Sequence, residues 1–518
     1  CAARSLLCPA QLYSPSRRGS EGVIMKQSLW PRASNKLVEQ SLSAHSVMGL
    51  VISAILYIVC LSGTVAVLED EFGWWEAAQT PAVQTVTPRA AQTEAENVLA
   101  AQPDTSHVYL YLPRENWPRF VIGGDDGVEA TGSNGEVVGA YETAWNSFLI
   151  HLHYYLNLPE QFGMILVAIF GVMMIAMSIS GLLAHPRIFR DAFRLKTSGQ
   201  QRLVQADLHN RLSVWTLPFN LIVAGTGAVI GLFVVVALVL AQTSFDGDTR
   251  ALSEAIFGDE PAANAAPAPL ADVETALINF ENEVPGVEPF LIIVHDPGTA
   301  GQHIDIQAEH SDRLIYGEAY QFDGDGTYLG HAGFSDGSAG RQIAYSVYRL
   351  HFGDFGGTAM KIAYLFLGAL LCFIVATGLN IYFLKSAEKG QPKQKLAAAW
   401  SACVWGAPAL LALTLLLSLV GLGEYLMSWV FWAGLTALSV GLPFVADAGR
   451  IGFLLRRATG AVLILAGILH QIMFFNVASD TTFAVLNACL IVLGAALVAG
   501  PFWIKQAPAK QTQSVLNN

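Results

Sequence analysis

The sequence predicts an all-α polytopic membrane protein of about eight transmembrane helices, with two α+β insertions on the outer side of the membrane. The first observation is composition, because 53% of the 518 residues are hydrophobic and only 14% are charged. Soluble domains carry about 25% charged residues. The second is a series of eight apolar runs, and the third is the placement of the basic residues between them.

Each of the eight runs is close to the roughly 20 apolar residues that cross the hydrocarbon core as a helix. The third run exceeds a single span, so we expect it to tilt or to project beyond the bilayer. No run is visibly interrupted near its middle. The runs are 45–68, 162–184, 210–241, 359–384, 399–420, 427–446, 458–476 and 482–503.

The basic residues predict the orientation, since Lys and Arg concentrate in cytoplasmic loops. They precede the first run, follow the last, and fill the connections 185–202, 385–395 and 450–457. With eight spans, all five segments lie on one side. We therefore predict a bacterial inner-membrane protein with both termini cytoplasmic and with loops 69–158 and 242–350 outside. The net charge of −12 argues against a nucleic-acid partner.

Both outer loops contain alternating apolar and polar segments, which are typical of strands. Two turns, at Asn134-Gly135 and Asp325-Gly326, predict hairpins because Asn and Gly tolerate positive φ. Residues 258–271 are rich in Ala and Pro and are interpreted as a flexible linker. The predicted strands are His107–Leu112, Arg119–Ile122, Glu136–Val138, Phe290–Val294, His303–Ile306, Leu314–Phe322 and Thr327–Leu329.

The runs and loops divide the chain into five parts. Residues 1–36 are predicted to be a disordered tail, of which 1–24 show no signal-peptide pattern. The others are a first repeat at 37–184, a second repeat at 203–386, a four-helix membrane unit at 399–503 and a cytoplasmic tail at 504–518.

The two repeats place histidines and glycines at matching intervals. A Ser-Gly or Thr-Gly pair follows each histidine, and four such spacings together indicate a duplication. The intervals are 18 residues for His45–Gly63 and for His209–Gly227, 28 for His153–Gly181 and 27 for His351–Gly378.

The duplication predicts one histidine pair at each face of the membrane. His45 and His209 begin outward-running spans, whereas His153 and His351 precede inward-running spans. An iron porphyrin in a helical bundle needs two axial imidazoles on facing helices. We therefore predict two b-type haems per chain, although interfacial histidines also serve as polar helix caps.

The paired glycines are candidates for making room beside these haems. Eighteen helical residues rise by about 27 Å, so each glycine reaches the level of the opposite histidine pair. Gly63 and Gly227 are therefore expected beside the outer haem. Gly181 and Gly378 are expected beside the inner one.

Three further histidines have open roles. His151 is an alternate outer ligand, although on a helix it points to a different face from His153. His185 could replace His45 or His209, bind a haem propionate, or contact a lipid headgroup. His470 lies mid-span and is expected to form an interhelical hydrogen bond, with a third redox site as the alternative.

Four segments resemble the signature histidine regions of the PepSY-associated transmembrane helix family. They are Ala44–Gly49, Leu152–Leu156, Asp207–Arg211 and Leu350–Gly357. The resemblance covers roughly residues 36–386, and the outer loops look like PepSY-type α+β modules. The last four spans are similar to the extension of longer members.

The resemblance implies a function as well as a fold. Members are often iron-regulated inner-membrane proteins, and some are similar to di-haem reductases that release iron from siderophores. This implies a haem-dependent ferric-siderophore reductase with His45, His209, His153 and His351 as haem ligands; no catalytic residue is assigned. One departure is the lead-in Asn157–Gly163, which is longer than the Gly-rich segment after His351, so the outer pair is expected to be less symmetric.

The leading hypothesis is an electron conduit from a separate cytoplasmic donor to a ferric siderophore or other iron chelate outside. One alternative is a non-enzymatic membrane protein whose outer domains bind protein or peptide. Another is a siderophore or solute transporter, which the sequence favours less because the repeats run in the same direction and no span is visibly broken.

Overall fold

The computed structural model describes residues 34–114, 117–131, 137–141, 143–185, 199–257, 264–310, 313–475 and 481–500. Several sequence predictions lie outside the described residues. These are the tails at 1–33 and 504–518, the turn at Asn134-Gly135, and most of the basic connection 185–202.

The first repeat contains five helices and four strands. Ser34 caps the first helix by accepting from Leu37 N at 3.2 Å, and Thr87 caps the third ahead of Pro88. The elements are α1 Asn35–Ala66, α2 Glu69–Glu76, α3 Pro88–Ala101, β1 His107–Tyr111, β2 Phe120–Gly124, β3 Gly127–Thr131, β4 Val137–Ala140, α4 Ala144–Tyr155 and α5 Glu160–Ala184.

The second repeat follows the same order, with the first span divided. Its elements are α6 Gln201–Trp215, α7 Leu217–Gly231, α8 Phe233–Ser244, α9 Thr249–Phe257, α10 Val273–Glu283, β5 Glu288–His295, β6 His303–Glu309, β7 Glu318–Phe322, β8 Tyr328–His331, α11 Ala339–Phe352 and α12 Gly357–Glu388.

The C-terminal unit is helical and packs against the first repeat. Trp145 Nε1 on α4 donates to Thr414 Oγ1 at 3.1 Å, and Tyr57 OH on α1 donates to Val404 O at 2.9 Å. Its elements are α13 Gln394–Ser418, α14 Glu424–Gly441, a 3-10 turn Leu442–Phe444, α15 Ala448–Met473 and α16 Thr481–Ala499.

Among the described residues, six helices are long and apolar enough to cross a membrane, namely α1, α5, α12, α13, α15 and α14 together with its 3-10 turn. The bent pair α6 and α7 forms a seventh candidate, and α16 is a shorter apolar helix. Helices thus occupy all eight predicted runs. The chain is a polytopic membrane protein, and the count of eight spans stays a prediction.

The expectation that no span is broken was wrong for the third run. The axes of α6 and α7 meet at 66°. Pro218 lacks the N–H that would continue the helical hydrogen bonds, which explains the position of the break. Buried polar groups stabilise it, because Thr216 Oγ1 donates to Leu212 O at 2.9 Å and accepts from Asn220 Nδ2 at 3.0 Å.

The strands of both insertions form one eight-stranded antiparallel sheet in the order β4-β3-β2-β1-β5-β6-β7-β8. β1 and β5 pair at its centre, with Leu110 opposite Ile292. The sequence predicted two modules but not this shared sheet. Pairing removes two exposed strand edges, and α3 and α10 cover one face over a continuous apolar core.

Local predictions in the sheet were partly right. Gly326 has φ of +74°, which confirms the hairpin turn after Asp325. Strand β3 was missed, and β7 begins at Glu318 rather than at the predicted Leu314. The described part of the predicted linker, 264–271, is not free, because Ala268 N donates to Gly298 O at 2.9 Å; residues 258–263 lie outside the described part.

Candidate functional site

Two of the predicted histidines face each other at the end of the helical bundle away from the sheet. His45 on α1 and His209 on α6 have ring centroids 6.3 Å apart, with their planes at 77°. Each ring lies about ten residues inside its helix rather than at its first turn. We call these two residues the far-side pair.

The other two predicted histidines face each other at the end of the bundle next to the sheet. His153 on α4 and His351 on α11 have ring centroids 6.0 Å apart, with their planes at 23°. Both helices end with a residue of left-handed φ, at +59° for Leu156 on α4 and at +72° for Gly353 on α11. The segments that follow differ in backbone conformation, since Gly356 and Gly357 also have positive φ after α11. We call these residues the sheet-side pair.

All four imidazoles are held in the same way. Each Nδ1 contacts a backbone carbonyl four residues before the paired glycine and the hydroxyl directly before that glycine. The carbonyl contacts are His45 to Met177 at 3.1 Å, His153 to Val59 at 3.0 Å, His209 to Ile374 at 3.0 Å, and His351 to Val223. The hydroxyls are those of Ser180, Ser62, Thr377 and Thr226.

The four predicted glycines lie against the histidine rings themselves. A Cβ on Gly63 would lie 2.4 Å from His153 Cε1, and one on Gly227 would lie 2.7 Å from His351 Cε1. On the far side, the distances are 3.3 Å from Gly181 to His45 and 3.1 Å from Gly378 to His209. Each glycine is thus at the predicted end of the bundle, but the room that it makes is for the imidazole.

These contacts fix the chemistry of each ring. With Nδ1–H donated to a carbonyl, Nε2 carries the lone pair, an assignment inferred from the hydrogen bond. Within the described residues, none of the four Nε2 atoms has a hydrogen-bond partner. A metal bound to two imidazoles at about 2 Å from each nitrogen separates the ring centres by roughly 6 Å. The centroid separations of both pairs therefore match those of a bis-imidazole iron site, and ligation itself stays a prediction.

The alternate ligands are placed differently from one another. His151 Nδ1 contacts the Glu424 carboxylate, and its ring stacks on Tyr155 at 4.9 Å, so the structure does not bring His151 to the sheet-side pair. His151 lies two residues before His153 on the same helix, so its side chain points to a different face of that helix. His185 ends α5 within electrostatic range of both far-side rings. Its role as a ligand or propionate partner is untested.

The predicted interhelical hydrogen bond of His470 is confirmed. Its Nδ1 accepts from Asn487 Nδ2 on α16 at 3.1 Å, and its Nε2 donates to Trp75 O at 2.9 Å. The ring also stacks on Trp75 with centroids 4.2 Å apart. Because both ring nitrogens have partners, the structure gives no support to a third redox site here.

A cavity of about 330 Å³ lies between the open face of the sheet and helices α2 and α4. This size is at the lower end of small-ligand sites, which run from about 300 to 1,000 Å³. Arg114 Nε is buried and has no hydrogen-bond partner among the described residues. The lining includes Glu69, Asp70, Tyr111, Arg114, Trp117, Tyr141, Ser147, His151, Phe290 and Tyr316. Sequence analysis missed this cavity, and its one signal was the density of aromatic residues in the outer loops.

Two carboxyl groups near the cavity titrate close to neutrality. Burial raises the pKa of Glu69 to about 7, with the charge of Asp70 adding to the effect and Lys361 opposing it. Burial also raises the pKa of Glu76 to about 7. Glu76 accepts from Trp145 N at 2.7 Å and Asn146 N at 2.8 Å. It thereby caps α4, the helix that carries His153.

The fold and site define a class: a polytopic helical membrane protein with an α+β sheet on one side and an imidazole pair at each end of its bundle. The family profile for the PepSY-associated TM region matches residues 42–385, and the chain therefore belongs to this family. An uncharacterized protein of Pseudomonas aeruginosa is 26% identical over 348 residues, which cover 62% of this chain and 85% of the relative. The family match ends before α13, so the C-terminal unit lies beyond it.

Proposed function

We propose that this chain is a di-haem b electron-transfer protein of the bacterial inner membrane that reduces ferric chelates on the sheet side. One observation carries the proposal. Two imidazole pairs have ring centroids 6.3 and 6.0 Å apart, at opposite ends of one bundle. In both pairs, all Nδ1 atoms are held by carbonyls, which leaves Nε2 of each ring with the lone pair that a metal ion would need.

The orientation rests on the charges at the far side. Basic residues occupy the start of α1, the connection from α12 to α13 and the start of α15. The positive-inside rule assigns this end to the cytoplasm, and the sheet then lies in the periplasm with both termini cytoplasmic. The donor would be a separate cytoplasmic protein, because the connections between spans on that side are too short to hold a flavin or nicotinamide domain.

His45 and His209 would hold one haem, and His153 and His351 would hold the second. When bound, haem supplies one-electron transfer with a potential set by its ligands and surroundings. The chain's own contribution is to fix ligand orientation, since each Nδ1–H donated to a carbonyl makes Nε2 a stronger donor. Apolar side chains of α1, α5 and α12 belong to one buried core of the bundle, which would keep water away from bound haem.

The cavity beside α4 is the proposed acceptor site. Ferric siderophores present negatively charged oxygen ligands, which the half-buried guanidinium of Arg114 would attract. The rings of Tyr111 and Trp117 offer apolar surface to the body of the chelate. One electron from the reduced haem would convert Fe(III) to Fe(II), which binds hard oxygen ligands more weakly, so the metal can leave and no proton-transfer residue of the chain is required.

The first experiment is a visible spectrum of the purified full-length chain together with a haem count. We expect low-spin b-type bands and two haems per chain, both lost in a His209→Ala, His351→Ala double variant. A colourless protein, or full bands in the double variant, would overturn the proposal. A colourless protein whose histidine variants keep its biological function would indicate the alternative, a non-enzymatic module whose outer domains bind protein or peptide.

The second experiment measures electron delivery. The protein is reduced with dithionite, freed of reductant under argon and mixed with a ferric siderophore, and the return of the oxidised spectrum is followed. Arg114→Gln should slow this reaction at least tenfold at low chelate concentration. Arg89→Gln is the matched control, because its side chain is 74% exposed in an ion pair with Glu274. Equal slowing in both variants would contradict the assigned cavity.

The bend between α6 and α7 favours a second candidate, a siderophore or solute transporter, because broken spans often carry transport sites. The bend of 66° has no counterpart in α1, which runs unbroken for 32 residues. Uptake of radiolabelled ferric chelate into vesicles distinguishes the two functions. Accumulation of intact chelate without reduction would support transport and contradict the reductase.

A further inference from the structure

A row of three histidines crosses the centre of the sheet on adjacent strands. His107 on β1 lies opposite His295 on β5, which in turn lies opposite His303 on β6. They occupy the face that α3 and α10 do not cover, since Val108 and Val294 point into the covered core. The row lies at the strand ends away from the cavity, which begins at Tyr111.

Two of these rings are close enough to act together, and a carboxylate joins them. The rings of His295 and His303 stack with centroids 4.4 Å apart and planes at 5°. Asp305 follows two residues after His303 and therefore shares its face of the strand. Its Oδ2 lies 3.4 Å from His295 Nε2.

Two polar atoms of this group, one on His295 and one on Asp305, are candidates for binding a ligand. His295 Nε2 and Asp305 Oδ1 are buried and have no hydrogen-bond partner among the described residues. Buried polar groups are almost always hydrogen-bonded, so each exception needs an explanation. An ordinary ion pair between His295 and Asp305 would leave Oδ1 unexplained, whereas a bound cation would engage both atoms.

We propose that His295, His303 and Asp305 form a binding site for a divalent transition-metal ion. One ligand atom from each residue lies within 4.8 Å of the others. Two imidazoles and one carboxylate are a donor set that suits Fe(II) and Zn(II), and three protein ligands leave positions for water or a small molecule. His107 lies beside the site, with its ring centroid 5.2 Å from that of His295.

A second group of similar composition provides the contrast. Glu318, His331 and Asp336 also lie within metal-binding distance of one another. The carboxylate of Glu318, however, accepts from Gly333 N at 3.0 Å and from Ser335 N at 2.7 Å, so its task is to hold the loop after β8. His331 is exposed and therefore serves as the control residue.

The metal site does not depend on the proposed electron transfer. His295 lies four positions along β5 from the cavity-lining Leu291, which corresponds to about 13 Å. The two proposals therefore fail separately, because haem content reports on the helical bundle and metal content reports on the sheet.

The experiment uses the purified full-length chain, treated with chelator and dialysed against Zn²⁺, a metal that haem does not contribute. Elemental analysis should give one zinc per chain in the wild type and in His331→Ala. The His295→Ala, Asp305→Asn variant should give none while keeping its haem and its circular dichroism. A zinc-free wild type, or a variant that keeps its zinc, would overturn the proposal.

A second measurement needs no variant and so survives any folding defect. Zn²⁺ should protect His295 and His303 at least tenfold from acylation by diethyl pyrocarbonate, as read by mass spectrometry. The exposed His331 should react at an unchanged rate. Equal acylation of His295 and His303 with and without Zn²⁺ would contradict the site.

Discussion

The far-side and sheet-side pairs have the same hydrogen-bond pattern but different ring orientations. In both, a carbonyl and a Ser or Thr hydroxyl hold Nδ1. The rings are nearly perpendicular on the far side, at 77°, and nearly parallel on the sheet side, at 23°. The far-side rings lie well inside α1 and α6, whereas the sheet-side rings lie in the last turn of α4 and of α11. The Ser/Thr-Gly motif thus holds Nδ1 in the same way at both ends, while the position of the ring along its helix differs together with the ring angle.

The largest expected effect is on haem content, when one proposed ligand is removed from one pair at a time. His209→Ala should lose the far-side haem and His351→Ala the sheet-side haem, so that each keeps about one haem per chain. The reason is that one imidazole holds haem far more weakly than two. A pyridine haemochrome assay against protein concentration measures the ratio. His331→Ala is the control, and two haems in either ligand variant would contradict the pairing.

Substitutions of the four glycines test whether the histidine rings are packed more tightly on the sheet side than on the far side. Gly63→Ala places a Cβ 2.4 Å from His153 Cε1, so the ring or helix must move, whereas Gly181→Ala leaves 3.3 Å to His45 Cε1. We expect Gly63→Ala to reduce haem to about one per chain and Gly181→Ala to keep two. Gly227→Ala and Gly378→Ala repeat the comparison in the second repeat. A greater loss of haem in Gly181→Ala than in Gly63→Ala would contradict tighter packing on the sheet side.

The ring angles should be visible in the ferric protein by electron paramagnetic resonance. Parallel imidazole planes split the iron orbitals that overlap the ring π systems, and perpendicular planes leave them nearly equal in energy. We therefore expect one rhombic low-spin signal from the sheet-side pair and one strongly anisotropic signal from the far-side pair. His351→Ala should remove the first and His209→Ala the second. Two identical signals would show that the angles do not persist with haem bound.

The smallest expected effect is a pH dependence confined to the sheet side. The pKa of Glu76 is about 7 in the folded chain against 4.5 when exposed, so folding takes up a proton between these values. Stability therefore falls as pH rises from 4.5 to 7. Glu76→Gln keeps an acceptor for Trp145 N and should reduce the drop in melting temperature between pH 5 and 8 by about 2 °C. An unchanged pH profile would contradict this.

The sequence predicted the site better than it predicted the sheet. The histidines could be paired because the duplication and the direction of each span place equivalent histidines at the same face of the membrane, and helical rise then places the glycines near the opposite pair. The pairing of β1 with β5 could not be predicted, since it joins residues nearly 200 positions apart and no local pattern selects a strand partner. Pro218 did signal the break between α6 and α7, but the apolar residues around it concealed that signal.

The strand pairing at the centre of the sheet has a consequence for the origin of the chain. Two equivalent units that run in the same direction and join through antiparallel equivalent strands are related as the subunits of a twofold dimer are. In such a dimer each half supplies one histidine to each pair, as His45 with His209 and His153 with His351 do here. A half-length ancestor would have carried only one histidine of each pair, so two copies would have had to associate before either pair could form.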